Sequence, residues 1–217
     1  MRKSDTTPFE DEVKRRPGIF VNGAHHPREL TSITMVVYMM LKFLYESVHG
    51  NSLSVETNLL DKAAIFFTPV VNIDGVYFLE KHYRLTGKLI WIRKNKRELD
   101  DCPNGVDYEE GVDLNRNYGY GWGGGETILD PCEKTYGGPF PFSEPETQSI
   151  KNFMETWRSI KLALNIHAFG NLICIPFMAD DYQNSKLESY PSANTFYNKL
   201  RQRQNRPMMG NVAQILG

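Results

Sequence analysis

The chain has 217 residues and a formal net charge of −1, with 41% hydrophobic and 24% charged residues. That length and balance suit one globular domain with a sizeable core. Near-neutrality and the lack of a basic stripe exclude an electrostatic nucleic-acid binder, since the basic clusters at 93–97 and 201–203 are local. Three cysteines (Cys102, Cys132, Cys174) allow at most one disulfide, which excludes a disulfide-built framework.

In chain order, residues 1–17 are charged and are expected to be poorly ordered; their polar start contains no apolar run of the kind a signal peptide needs. Ile19 to Asn22 reads as a short strand. Residues 30–48 read as a helix stopping near His49-Gly50. Its most hydrophobic part, Leu30 to Tyr45, is interrupted by Thr31, Ser32, Thr34 and Lys42. A membrane span needs about 20 mostly apolar residues, so the expectation is a buried helix on a sheet and no membrane association. Asn51 to Lys62 reads as a polar connection with one turn of helix. Ala63 to Val71 reads as a strand buried on both faces. Alternation of strand and helix implies an α/β fold with helices on the faces of the sheet.

Asn72-Ile73-Asp74-Gly75 reads as a tight turn. Tyr77 to Arg93 is aromatic and mixed, with a break at Thr86-Gly87, and Lys94 to Glu110 is loop-like. Gly111 to Gly125 is a long glycine-rich loop whose aromatics argue for order and function. Ser143-Glu144-Pro145-Glu146 reads as a helix start with Ser143 as the cap, and the helix runs to about Arg158. Strands are expected at Leu162 to Ile166 and Leu172 to Phe177, then a helix at Ser192 to Gln204 and the beginning of another from Met208.

Chemistry concentrates in Gly23-Ala24-His25-His26-Pro27-Arg28-Glu29-Leu30, between the first strand and first long helix. His26 and Glu29, three apart, can aim an imidazole nitrogen and a carboxylate at one point, and zinc accepts both ligand types. The plainer alternative is a solvated histidine with a glutamate at a helix N-terminus. His167 also follows an apolar strand, and sites in open α/β sheets collect at the carboxyl ends of strands. His25 competes with His26, at a spacing of four from Glu29.

These segments together resemble the zinc carboxypeptidases of the pancreatic A and B type. His26-Pro27-Arg28-Glu29 is similar to the family's His-x-Arg-Glu. Asn72-Ile73-Asp74-Gly75 is similar to its Asn-Pro-Asp-Gly, with isoleucine in place of proline. Gly111-Val112-Asp113-Leu114-Asn115-Arg116-Asn117 and Asn165-Ile166-His167-Ala168 match two further motifs, supported by Arg93-Lys94-Asn95 and Pro139 to Glu146. The resemblance spans roughly residues 18–217 and implies a mixed β-sheet with helices on both faces, incomplete at both ends. It implies that His26, Glu29 and His167 bind one zinc ion and that Arg93 polarises the scissile carbonyl. Asn115 and Arg116 would grip the terminal carboxylate of a peptide, and Arg28 would belong to a flanking subsite. A rigid arginine fork suits a carboxylate, and a fixed cation suits charge that develops in the transition state. On the plainer alternative Arg93 and Arg116 are surface arginines and Asn115 a turn residue. The resemblance also implies peptide or protein substrates with a free C-terminus, a secreted monomer and, if it is secreted, a Cys102–Cys132 bridge; Cys174, inside the apolar run Leu172-Ile173-Cys174-Ile175, reads as a buried thiol.

The chain departs from the family in its extent. The family's general-base glutamate lies well beyond the third histidine, and the chain ends at Gly217, short of it. The expectation is therefore a fragment of a longer product, with a catalytically inactive module that binds zinc and peptide C-termini as the alternative. A deacylase of the related amidohydrolases is a third reading, disfavoured by Asn115-Arg116 together with Asn72 to Gly75.

Overall fold

The computed structural model describes residues 9–50, 54–99, 110–124 and 127–168. Strand β1 (Gly18–Gly23) lies between β2 (Ala64–Thr68) and β3 (Ile160–Ile166), and both neighbours run parallel to it. Asn22 pairs with Thr68 on one side and Asn165 on the other, so the three carboxyl ends finish together.

Successive side chains along a strand point to opposite faces, and both faces are covered. Phe20 and Phe66 each stack 5.3 Å from Phe153 on helix α5 (Pro145–Thr156), and Phe66 meets Trp157 at 5.2 Å. Tyr118, Leu114, Val71, Ile150 and Ile160 complete this core. On the other face lies helix α2 (Leu30–His49), where Phe43 stacks on Phe67 at 6.2 Å. A side chain at Gly23 would come within 3.1 Å of Val36 and of the Ser32 carbonyl, so glycine admits the helix to the strand end.

Helix α2 is less buried than its hydrophobicity suggests. Only Ser32 and Val36 are buried, whereas Tyr45 is 63% and Val48 70% exposed. One stripe of the helix meets the sheet, and the remaining apolar positions face outward. No helix among the described residues is long and apolar enough to cross a membrane. Within the N-terminal segment expected to be poorly ordered, Phe9–Arg15 form a short helix, α1. The polar connection before β2 holds a two-turn helix, α3 (Val55–Lys62), capped by Ser54 accepting from the Thr57 amide.

Two sequence expectations change in kind. Asn72 to Gly75 is the start of helix α4 (Ile73–Thr86), with Asn72 as its cap, accepting from the Gly75 amide at 3.0 Å. The helix ends at Gly87 in the left-handed conformation (φ 69°), which explains the Thr86-Gly87 break. At α5, Ser143 does not cap. Glu144 occupies the cap position, and the amide oxygen of Asn117 accepts from the Glu144 N–H and the Thr147 hydroxyl. A side chain 27 residues away thus anchors the first turn of the helix through the cap residue's N–H and the Thr147 hydroxyl. The strand read at Leu172 to Phe177, the helices read at Ser192 to Gln204 and from Met208, and most of the Lys94 to Glu110 loop lie outside the described residues.

Phe20 is 1% exposed and sits at the centre of the larger core. Phe20→Ala is expected to cost about 3–5 kcal/mol, read as a lowered urea midpoint.

Candidate metal centre

Parallel pairing brings the turn after β1 and the turn after β3 to one sheet edge. The first turn is tightly formed. Ala24 adopts φ 54°, a left-handed conformation that costs energy for a residue with a side chain. Its N–H donates to Ser32 Oγ at 3.0 Å, and its carbonyl accepts from the Asn72 amide at 3.0 Å. The Asn72 side-chain amide donates to the carbonyls of His25 (3.1 Å) and Lys94 (3.2 Å). One helix cap therefore ties the histidine turn to the segment that carries Arg93.

At this edge His26, Glu29 and His167 converge, each offering one ligand atom, all within 4.8 Å of one another. Glu29 Oε1 lies 2.7 Å from His26 Nδ1, and Oε2 lies 2.8 Å from His167 Nδ1. Glu29 occupies the cap position of α2 yet makes no side-chain cap bond; its carboxylate is turned toward the histidines. His26 and Glu29 are buried, while His167 keeps 30% of its side chain exposed, so the cluster is open on one side. Two imidazole nitrogens and one carboxylate oxygen form a donor set that suits zinc with a further position for water or substrate.

Asp113 stands behind this cluster and is fully buried. Its Oδ1 lies 3.0 Å from His26 Nε2 and accepts the Asn115 N–H at 3.0 Å. Its Oδ2 accepts from Arg93, with Nε and an Nη each at 2.8 Å. One carboxylate thus orients an imidazole and a guanidinium. A carboxylate on the far nitrogen of a histidine fixes its tautomer and raises its basicity as a ligand. Sequence reasoning quoted Asp113 inside its motif but assigned it no role; the signal was an acidic residue embedded in an apolar and glycine-rich run.

The electrostatics follow from these contacts. Burial alone would push the His26 imidazole down, but hydrogen bonds with Asp113 and Glu29 outweigh it and hold it above the ordinary 6.5. Burial would raise Glu29, yet hydrogen bonds with His167 and His26 carry it far below the carboxylate range. Burial likewise opposes ionisation of Asp113, but His26 and then Arg93 and Arg116 bring it from 3.8 to about 2. His25 differs: burial, then His167 and His26, lowers it well below 6.5 and keeps it neutral. Its Nε2 lies 2.7 Å from the Tyr118 hydroxyl, and it is not among the three converging residues.

The remaining expected site residues lie on the same edge. Arg28 follows the histidine turn, with its N–H on the Ile92 carbonyl at 3.1 Å and its guanidinium 5.7 Å from the Trp91 ring. Asn115 and Arg116 lie on a single 3-10 turn (Leu114–Arg116) that begins at Asp113. Cys132 is disulfide-bonded; Cys102 and Cys174 lie outside the described residues.

The fold and this edge define a class: an α/β protein with a two-histidine, one-glutamate cluster beside an arginine–aspartate pair. The sequence profile described as zinc carboxypeptidase matches residues 3–211, and the chain belongs to that family. It is 34% identical over 169 residues to human carboxypeptidase A5, covering 78% of this chain and 36% of that protein. It is 34% identical over 179 residues to carboxypeptidase B of Helicoverpa zea, covering 82% of this chain and 38% of that protein. A protein named inactive metallocarboxypeptidase ECM14, from Arthroderma otae, is 30% identical, covering 76% of this chain and 26% of its own length. The chain thus spans little more than a third of these relatives at most. Among solved structures, thrombin activatable fibrinolysis inhibitor superposes with a TM-score of 0.68 at 22% identity, covering 90% of this chain and 46% of that chain. Carboxypeptidase A of Helicoverpa armigera superposes with a TM-score of 0.61 at 21% identity, covering 91% of this chain and 45% of that chain. Both share the fold.

The depressed Asp113 pKa makes a signed prediction for the metal-free chain. Its stabilising contribution is present above 3.8 and is lost as pH falls through about 2. The urea midpoint should therefore drop steadily between those values. Asp113→Asn should be less stable at pH 7 and show a flatter acid limb. Equal acid limbs in the two proteins would contradict the assignment.

Proposed function

We propose that residues 18–217 are part of the catalytic domain of a secreted metallocarboxypeptidase, which removes C-terminal residues from peptides or proteins. The reading rests on one observation: His26, Glu29 and His167 converge where Asp113 couples His26 to Arg93. In this reading those three residues hold one zinc ion, which when bound supplies a Lewis acid and a water of lowered pKa.

The other roles follow from charge and position. Arg93, anchored by Asp113, presents a fixed cation where a scissile carbonyl oxygen gains negative charge. Asn115 and Arg116 hold the substrate's terminal carboxylate and so set the cleaved bond at one residue from the end. Arg28, on the flank of the site, contacts substrate residues on the other side of that bond. Asp113 keeps His26 in the tautomer that leaves Nδ1 free to ligate. The disulfide at Cys132 supports secretion, because disulfides persist in oxidising compartments. The protein acts as a monomer and binds neither membrane nor nucleic acid.

The likeness to a relative named inactive favours a second reading, in which the chain binds zinc and peptide C-termini without hydrolysis. Both readings require recognition of a free carboxylate, so binding is the first test. A zinc-loaded chain should bind a short peptide acid at least about 10-fold more tightly than its amide by calorimetry, since hydrogen bonds to a charged group contribute about 1.5–3 kcal/mol. Arg116→Ala should abolish the difference. Equal binding of acid and amide by the parent chain would overturn both readings. Chelator-sensitive release of C-terminal residues by the whole protein then decides for the enzyme; binding without release decides for the module.

A further inference from the structure

Glu144 is a buried carboxylate that the proposed chemistry leaves unused. It is 1% exposed. Its Oε1 accepts from Arg97 Nη1 at 2.8 Å and from Ser143 Oγ at 2.6 Å. Its Oε2 accepts from the Asn95 amide nitrogen at 2.7 Å. A buried carboxylate that is an N-cap residue but makes no side-chain cap bond has been recruited for something else.

Its target is Asn95, which is 2% exposed and lies two residues beyond Arg93. The Asn95 N–H donates to the Val112 carbonyl at 2.9 Å, and its Oδ1 accepts the Val112 N–H at 2.8 Å. Asn95 therefore saturates both backbone groups of the residue next to Asp113. Gly111 permits the approach: it adopts φ 115°, and a Cβ there would lie 2.1 Å from the Asn95 carbonyl oxygen. The side-chain amide of Asn95 works in one orientation only. Its oxygen must face two N–H donors, those of Val112 and Arg97, so its NH₂ must face an acceptor. Glu144 is that acceptor, and the carboxylate of Glu146 offers only longer contacts of 3.4 Å.

From this chain of contacts we infer that Glu144 and Asn95 are a pair of positioning residues that set the spacing between Arg93 and Asp113. The pair lies outside the cluster and touches neither the converging ligands nor any substrate-facing group. Arg93 and Asp113 sit on separate segments, 20 residues apart, and meet through one carboxylate oxygen. Asn95 and Val112 are their near neighbours, so a shift there is passed directly to the Arg93–Asp113–His26 line. The inference rests on the proposed reading of that line as zinc-site machinery.

A reciprocal exchange tests it. Asn95→Asp keeps the acceptor for Val112 but sets two carboxylates against each other. Adding Glu144→Gln restores one donor facing one acceptor. Two readouts are taken on the full chain: zinc affinity by chelator competition, and hydrogen exchange at the Val112 amide, which needs no metal. Asn95→Asp is expected to lose about 10-fold in zinc affinity, at the low end of the loss seen when partners of metal ligands are mutated, and to exchange Val112 faster. The double variant is expected to recover both to within about 3-fold. Wild-type values in Asn95→Asp, or failure of Glu144→Gln to rescue it, would overturn the inference. Should Asn95→Asp not fold, the double variant must fold and protect Val112; its failure counts equally against the pair. Absence of zinc binding in the parent chain would defeat the proposed function instead, while Val112 exchange still decides the pair.

Discussion

The arrangement depends on one buried carboxylate with two partners. Asp113 offers one oxygen to His26 and the other to Arg93, from a position with no exposed surface. Burying an ion is costly unless it is paired and hydrogen-bonded, and removing one partner of such a set leaves an uncompensated charge. The imidazole and the guanidinium therefore cannot drift independently: each is held by the same atom group that holds the other. In the proposed reading, a metal ligand and an oxyanion donor that must act on one carbonyl are thereby set relative to each other before any substrate arrives.

Around that carboxylate, helix starts have been given second duties. Glu29 sits where a cap residue would sit on α2, yet its carboxylate lies between two histidines. Asn72 caps α4 and also ties the His25 carbonyl to that of Lys94. Glu144 stands at the start of α5 and secures Asn95, while Asn117 holds the Glu144 N–H and the Thr147 hydroxyl. Each start places a short polar side chain at a fixed point against the sheet edge, where helical backbone is rigid. Positions that in an ordinary domain would serve only to begin a helix are here the brackets of the site.

How much of this could be read from residues alone varied with the range of the interaction. The β1 and β3 strands were legible from apolar runs, and their ends from the histidines that follow them. The convergence of His26, Glu29 and His167 was legible because parallel strands share a carboxyl edge. The role of Asn72 was not, since its partners lie up to 47 residues away and a local reading sees only a turn-forming tetrapeptide. The start of α5 was misread for the same reason: the Ser143 hydroxyl turns to Glu144, and Asn117 holds the Glu144 N–H from 27 residues away. The burial of α2 was overestimated because hydrophobicity reports what a helix would bury, while the sheet touches only one of its stripes. Asp113 stood inside a recognised motif, but a motif does not show that two oxygens of one residue serve two different neighbours.

Glu29 and His167 are separated by 138 positions and meet only once β3 has docked beside β1. An ion held between them would close a loop nearly as long as the described chain. Closing such a loop costs entropy that grows only slowly with its length, whereas release of a bound metal would forfeit the whole of its binding energy. The ion would then behave as a clasp whose third ligand is in reach only when β3 lies beside β1, so that its binding energy favours the assembled sheet.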